Sequence, residues 1–275
     1  MTESRRKVVP VLFLLLGAAV MAVPFLVTVA NSLKTFEQYI SVPPQWLPNP
    51  VEWANYGEVL QREPLFWRFA MNSFVVAGLS VVGCLLTSSM VGFALARLRL
   101  PGRQALLAVA LGTMALPTVI TIVPSFVLYR QLGWLDTHAP LILPYSLGTA
   151  FGIFLMRQAF LTIPRELLEA ATVDGANPWR AFWRTQLPLV RPQLATLGVF
   201  TFMASWGAVL EPTIYLTSEE KFTLPIGVIS LQGQYMGNEQ IVAAAALLSL
   251  VPMLIIFVAA QRYFIRGVVS SGLKG

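Results

Sequence analysis

The chain has 275 residues, 56% of them hydrophobic and 12% charged, with a mean hydropathy of +0.68. A soluble domain carries about 25% charged residues, so a water-soluble enzyme is excluded wherever the apolar runs are long enough to cross a bilayer. The net charge of +6 collects at the ends of those runs, which makes it a record of membrane orientation rather than a sign of nucleic-acid binding.

Stretches free of Asp, Glu, Lys, Arg and His cover 8–33, 69–96, 104–129, 139–156, 192–210 and 240–261, with lengths of 26, 28, 26, 18, 19 and 22 residues. Roughly 20 apolar residues span a bilayer as a helix, so the chain reads as an all-α membrane protein with six transmembrane helices. The first run follows Arg5, Arg6 and Lys7. It is too long for a signal-peptide core and ends at Asn31-Ser32-Leu33-Lys34 without a small-x-small cleavage pattern, so it reads as a membrane helix. Residues 34–68 are rich in Pro and carry Trp46, Trp53, Tyr56, Phe66 and Trp67. They read as a turn-rich cap with a short helix after Asn55. Its aromatics suit the membrane–water interface, with contact to an external partner as the alternative.

The second run leads into Arg97, Arg99, a Pro101-Gly102 turn and Arg103. The third contains Pro117 and Pro124 among Thr113, Thr118, Thr121 and Ser125, which predicts a kinked helix whose freed carbonyls need partners. A polar path and a kink in a rigid bundle both fit. Small residues recur at Gly78, Ser80, Gly83, Gly148, Gly152, Gly198, Ala204, Ser205, Gly207 and Ala208, and they let helix backbones approach closely. Residues 222–238 hold Pro225, glycines and glutamines in an otherwise apolar run. They read as a loop with a short surface helix, a re-entrant segment being the alternative.

Of the 19 Lys and Arg residues, 14 fall in 1–7, 97–103, 157–191 and 262–275, and 5 in the three other connections. Positive charge stays on the cytoplasmic side, so both termini and the 157–191 connection are expected there. Several chemistries are missing. The single Cys84 forms no intrachain disulfide, the single His138 makes no metal site, and there is no phosphate-binding G-x-x-x-x-G-K-[ST] loop. The chain is not expected to hydrolyse ATP alone or to hold a cofactor. Glu211, just before Pro212, is the carboxylate nearest a span. That scarcity of buried charge counts against an ion-coupled carrier and an intramembrane enzyme.

The charge-rich stretch 169–188 reads EAATVDGANPWRAFWRTQLP. Pro164 suits the first turn of a helix running through ELLEAATV, with Leu167, Leu168, Ala170 and Ala171 on one side. Gly175 suits its left-handed stop. Asn177-Pro178 is an N-cap followed by a first-turn proline, starting a second short helix. Leu187-Pro188 and Pro192 steer the chain into the fifth span. Asp174, an acid at a helix C-terminus, is expected to need a cationic partner. The whole predicts a helix–turn–helix on the cytoplasmic face, with a membrane-surface loop as the plainer alternative.

Glu169-Ala170-Ala171, three residues, Gly175, nine residues and Thr185-x-Leu187-Pro188 resemble the EAA loop of binding-protein-dependent ABC importer permeases, EAA-x3-G-x9-I-x-L-P, with Thr185 in the isoleucine place. Asn72-Ser73, Ala96-Arg97-Leu98-Arg99, Gly133-Trp134-Leu135-Asp136-Thr137 and the terminal Gly272-Leu273-Lys274-Gly275 resemble the carbohydrate, maltose-type branch. The resemblance implies a type I ABC importer permease fold, with a first helix and cap in 1–71, a permease core in 72–265 holding the EAA loop at 164–188, and a cytoplasmic tail in 266–275. It implies a plasma-membrane subunit of a prokaryotic importer for a sugar or sugar derivative, or for another solute such as a glycerophosphodiester. It also implies two ATP-binding subunits carrying ATP and Mg, a second permease subunit of different sequence, and an external solute-binding protein. Glu169, Ala170, Ala171, Asp174, Gly175, Leu187 and Pro188 would then couple to the ATPase. Ser205 and Trp206, with Thr118, Thr121 and Ser125, are the candidates for the solute path. Gly207 and Ala208 stand where the family often has asparagine after the tryptophan.

Overall fold

The computed structural model describes the backbone of residues 2–272 and the side chains of 10–261. The Arg5, Arg6 and Lys7 side chains and the last three residues of the expected tail lie outside the described residues. In chain order the helices are α1 (Thr2–Ser32), α2 (Phe36–Ile40), α3 (Ala54–Gly57), α4 (Phe66–Arg97), α5 (Arg103–Thr113), α6 (Thr118–Gln131), α7 (Ala139–Ser146), α8 (Ala150–Thr162), α9 (Glu166–Val173), α10 (Pro178–Ala181), α11 (Arg191–Trp206), α12 (Leu210–Tyr215), α13 (Leu224–Gln234) and α14 (Glu239–Gly272). Five stretches are long and apolar enough to cross a membrane, and the bent pair α5–α6 makes a sixth if it counts as one span. Among the described residues there are helices and turns but no strand.

The chain divides into two compact units. The first holds Met1–Trp67 and Gly227–Val251. Its α1 leaves Leu12, Phe13, Leu14, Leu16 and Met21 exposed along its length, as a helix bathed in lipid would. The cap at 34–68 does contain a short helix at Asn55, α3, continued by a π turn over Glu58–Arg62. The Asn55 side chain is buried and donates to the carbonyls of Ser32 (2.9 Å) and Lys34 (2.8 Å), which ties the cap to the end of α1. The cap also has α2, opened by a capping box between Thr35 and Gln38, a signal that the Pro-rich composition hid.

The second unit, Arg68–Ile226 with Pro252–Gly275, is built around α4. Its small residues let α7 and α8 come close. A Cβ on Gly83 would strike Ser146, one on Gly92 would lie 2.8 Å from the Arg157 amide nitrogen, and one on Gly152 would lie 2.6 Å from the Ser88 hydroxyl. Such contacts are the packing that lipid, offering no hydrophobic drive between helices, leaves as the means of association.

The third span is broken rather than kinked. α5 and α6 meet at 98°, with Pro117 as the N-cap of α6. Proline lacks the amide and pushes Leu116 out of helical geometry, so the ladder stops there. Pro124 lies inside α6 without ending it. The fourth span, Ala139–Thr162, stays one span, but its helix is interrupted between α7 and α8, where Gly148 takes φ +93 and Thr149 caps α8 by accepting from the Gly152 amide at 3.0 Å. Residues 222–238 are no surface loop. The short helix expected there is α13, Leu224–Gln234, but it is no surface helix: Leu224, Val228 and Leu231 are buried at the spacing of one helical face.

Candidate functional site

The stretch 164–188 forms two linked helices whose turn obeys its sequence. Pro164 stands just outside α9, whose N-cap is Arg165. At the other end Gly175 adopts φ +79, its amide donates to Thr172 O (3.0 Å), and the Ala176 amide donates to Ala171 O (2.9 Å). These two bonds make a Schellman stop with glycine in the left-handed place. Asn177 then caps α10, its side-chain oxygen accepting from the Arg180 amide at 2.8 Å, with Pro178 in the first turn. The second helix is not a separate short one. α10 runs through a π turn at Phe182–Gln186 and a 3-10 turn at Leu187–Val190 directly into α11. Pro188 and Pro192 each remove an amide from the ladder, and the wide and tight turns accommodate the gaps without ending the helix.

What fixes this loop to the bundle is Phe182, which the sequence reading passed over. It is buried, with ring centroids 5.2 Å from Phe93 on α4 and 6.2 Å from Phe160 on α8. Around it pack Met156, Ala159, Ile163 and Val190, with Leu168 of α9 and Leu187 against the cluster. Arg97, in the last turn of α4, donates through its guanidinium to the carbonyls of Phe160 and Ile163 and so closes the C-terminal end of α8. Leu168 is the side chain that α9 turns inward, while Leu167, Val173, Trp179 and Trp183 remain exposed. Glu169, Ala170 and Gly175 are exposed and Ala171 is half-buried. Asp174 has no cationic partner among the described residues. It stands in solvent, where water screens it from the helix end. Glu169 shares a depression of about 340 Å³ with Arg97, Arg99, Arg103 and Arg165.

A second cavity, of about 330 Å³, opens elsewhere in the same unit, between α6, α7, α11 and α12. It brings together Thr118, Thr121 and Ser125 of α6 with Ser205 of α11. Trp206 is absent from its wall. That ring is buried in packing, stacked on Phe202 (5.2 Å) and edge-on to Phe74 (4.8 Å). Tyr129, Tyr145, Thr149, Tyr215, Thr223 and Glu211 also line the cavity, and of these only Glu211 stood out in the sequence. The tyrosines were hidden because a ring on an apolar helix looks the same whether it faces lipid or a cavity.

Beside this cavity the segment 216–224 is held by the other residues that carried the family resemblance. Asp136, in the left-handed region at φ 55, accepts from the amides of Thr217 (3.0 Å) and Ser218 (2.9 Å), from the Ser218 hydroxyl (2.6 Å) and from Lys221 Nζ (2.8 Å). These donors, with the Lys221 contact first, hold its carboxyl far below the usual carboxylate range. Asn72 donates to the carbonyls of Glu220 and Phe222, both at 2.9 Å, and Ser73 accepts from the Leu224 amide at 2.7 Å.

Similarity to known proteins runs along the whole architecture. The family model described as binding-protein-dependent transport system inner membrane component matches residues 88–270. The arabinooligosaccharides transport system permease protein AraQ of Halalkalibacterium halodurans is 35% identical over 228 residues, covering 83% of this chain and 81% of that protein. The sn-glycerol-3-phosphate transport system permease protein UgpE of Salmonella typhimurium is 36% identical over 267 residues, 94% of each. Among solved structures, a chain of a bacterial ABC transporter involved in the import of the acidic polysaccharide alginate superposes with a TM-score of 0.83 at 26% identity, covering 96% of this chain and 98% of that one. The anchored two-helix loop, the broken third span and these matches lead to one assignment: the chain belongs to the family of binding-protein-dependent transport system inner membrane components.

Proposed function

We propose that this permease subunit forms part of the translocation path of an ATP-driven importer for a sugar or sugar derivative, and that the loop 164–188 couples it to a separate ATPase. The subunit crosses the plasma membrane of a prokaryotic cell six times, with both termini in the cytoplasm. Partners are two ATP-binding subunits that bind ATP and Mg, a second permease chain and an external solute-binding protein. The chain itself is not an enzyme. The observation that carries the coupling role is the contrast within the loop: Phe182 is sunk in the core and the half-buried Leu168 packs against it, while Leu167, Val173 and Trp179 stand exposed. A polar stretch at a membrane face that holds apolar side chains in water, on a scaffold locked from below, is built for a protein partner. A phosphate-bearing solute is the second reading, favoured by the 36% identity to UgpE.

The coupling test is an affinity pull-down of the tagged chain from mild detergent. Wild type should bring down an ATPase subunit, and a Glu169→Lys, Gly175→Val double variant should lose it. Absence of any ATPase with wild type, under conditions that keep the membrane partners together, would put an ion-coupled carrier in its place.

A further inference from the structure

The cavity at α6, α7, α11 and α12 is lined by nine hydroxyl side chains and one carboxylate, Glu211, with no Lys, Arg or His. Two of those hydroxyls are unusual. Ser205 is 6% exposed and Thr223 is 3% exposed, and neither Ser205 Oγ nor Thr223 Oγ1 has a hydrogen-bond partner. Both line the cavity. A buried hydroxyl without a partner is costly, and this wall keeps two of them. Hydroxyls both donate and accept, which matches another polyol. A carboxylate only accepts, which matches sugar hydroxyls or an ammonium group. An anionic solute needs the reverse, cationic donors for its charge, and this wall supplies none. The volume lies at the lower end of the roughly 300–1,000 Å³ of small-ligand cavities, enough for a small saccharide.

We infer that this cavity is a cation-preferring polyol site: Glu211 sets the selectivity of this chain's part of the path for neutral or amino-bearing saccharides and against phosphorylated or uronic ones. The inference rests on the importer reading and narrows it. It separates this chain from the substrates named for two of its relatives, glycerol phosphate and alginate, each of which carries negative charge.

The test reads the field in the cavity directly, in membrane vesicles from cells holding the whole system. Thr121→Cys places a thiol on the wall at an exposed position, in a chain whose own Cys84 is buried. Its rates of reaction with the cationic 2-aminoethyl and the anionic 2-sulfonatoethyl methanethiosulfonates are compared, each divided by the rate with a free thiol in solution. The cationic reagent should be favoured by about tenfold or more, the size expected for one unit charge nearby in a partly dry site. Adding Glu211→Gln should bring the ratio close to one. Ser125→Cys supplies a second reporter on the same helix should the first variant fail to reach the membrane. A ratio that Glu211→Gln leaves unchanged, or a preference for the anionic reagent, overturns the inference, as does a thiol that neither reagent reaches. The pull-down above judges the importer reading separately: an ATPase that co-purifies while the ratio stays fixed rejects the site alone, and a ratio that collapses without any ATPase rejects the importer alone.

Discussion

Gly175 offers a clean separation of backbone from side chain. A Cβ placed there would meet nothing within 4 Å, yet the residue sits at φ +79. Any loss on substitution therefore comes from forcing an L-residue into the left-handed region, not from a clash. That costs roughly 1–2 kcal/mol for an ordinary residue, more for a β-branched one, and least for asparagine, which visits the region readily. At 1.4 kcal/mol per factor of ten, the equilibrium constant for holding the Schellman turn should fall about fivefold for Gly175→Ala and about thirtyfold for Gly175→Val, and less than fivefold for Gly175→Asn. If docking needs that turn, the dissociation constant for the ATPase subunit rises by up to those factors, reaching them where the free loop holds the turn only part of the time. Titrating the ATPase onto the purified permease in nanodiscs measures them, and uptake in cells should follow the same order of Gly, Asn, Ala, Val. Full uptake by Gly175→Val would refute the reasoning. So would an asparagine variant as weak as valine, because the effect would then lie in a side-chain contact that the open space around Gly175 does not contain.

Phe182→Ala removes the ring wedged between Phe93 and Phe160 and should cost roughly 3–5 kcal/mol of local packing. Phe182→Leu should retain most of it, and differential scanning fluorimetry of the assembled complex, with moles of solute moved per ATP, would report both. Ser205→Ala removes an unpartnered buried hydroxyl, so thermal stability should hold or rise; solute affinity should fall about three- to tenfold if that hydroxyl bonds the solute, and an unchanged affinity would return Ser205 to packing. Asp136 has a depressed carboxyl, so its contribution is complete above the unfolded-state value of about 3.9 and is lost as pH falls below that toward its folded value. Asp136→Asn keeps a residue suited to φ 55 but removes the charge. Its melting temperature should sit below wild type by a constant amount from pH 5 to 8, the gap narrowing only below about pH 4.

The spans were legible because bilayer thickness demands long charge-free runs, and the turn at Asp174-Gly175-Ala176 was legible because glycine and asparagine have local conformational reasons for their places. The breaks were less so. Pro117 announced itself, but Gly148 read as one more small packing residue, and its left-handed conformation beside Thr87 emerges only when α4 and α8 are brought together. Residues 222–238 misled through composition. Pro225 and the glutamines suggested a loop, while Leu224, Val228 and Leu231 already carried the spacing of a buried face. Phe182 was invisible for a physical reason: an aromatic in a charged run is buried or exposed according to partners far away in the chain, here Phe93 and Phe160. The hydroxyls of the cavity were half visible. Thr118, Thr121, Ser125 and Ser205 stood out as polar groups in apolar helices, whereas Tyr129, Tyr145 and Tyr215 did not.

The two sites share their supports, and that bears on how one affects the other. α4 is unbroken over Phe66–Arg97 and carries Phe93, Ala96 and Arg97 at the loop and Val76 at the cavity. The rise of 1.5 Å per residue puts Val76 and Phe93 about 25 Å apart along one helix. α11 does the same in the other direction, with Leu197 in the cluster around Phe182 and Ser205 on the cavity wall. The opposite wall, α6, is joined to α5 across the 98° break at Pro117, where no helical hydrogen bond carries a load. Close-packed aromatic clusters shift as units rather than deform. If the loop couples to an ATPase as proposed, a pull on it would move Phe182, Phe93 and Phe160 together and carry the α4 and α11 sides of the cavity with them, whereas α6 would follow only through Phe126 and Tyr129, which pack against Val76 and Tyr215, and not through a continuous helix across Pro117. On that proposal Pro117, which lines neither the cavity nor the depression at Glu169, is where a substitution that restores the helix should weaken coupling, read as solute moved per ATP hydrolysed, without weakening either docking or solute binding.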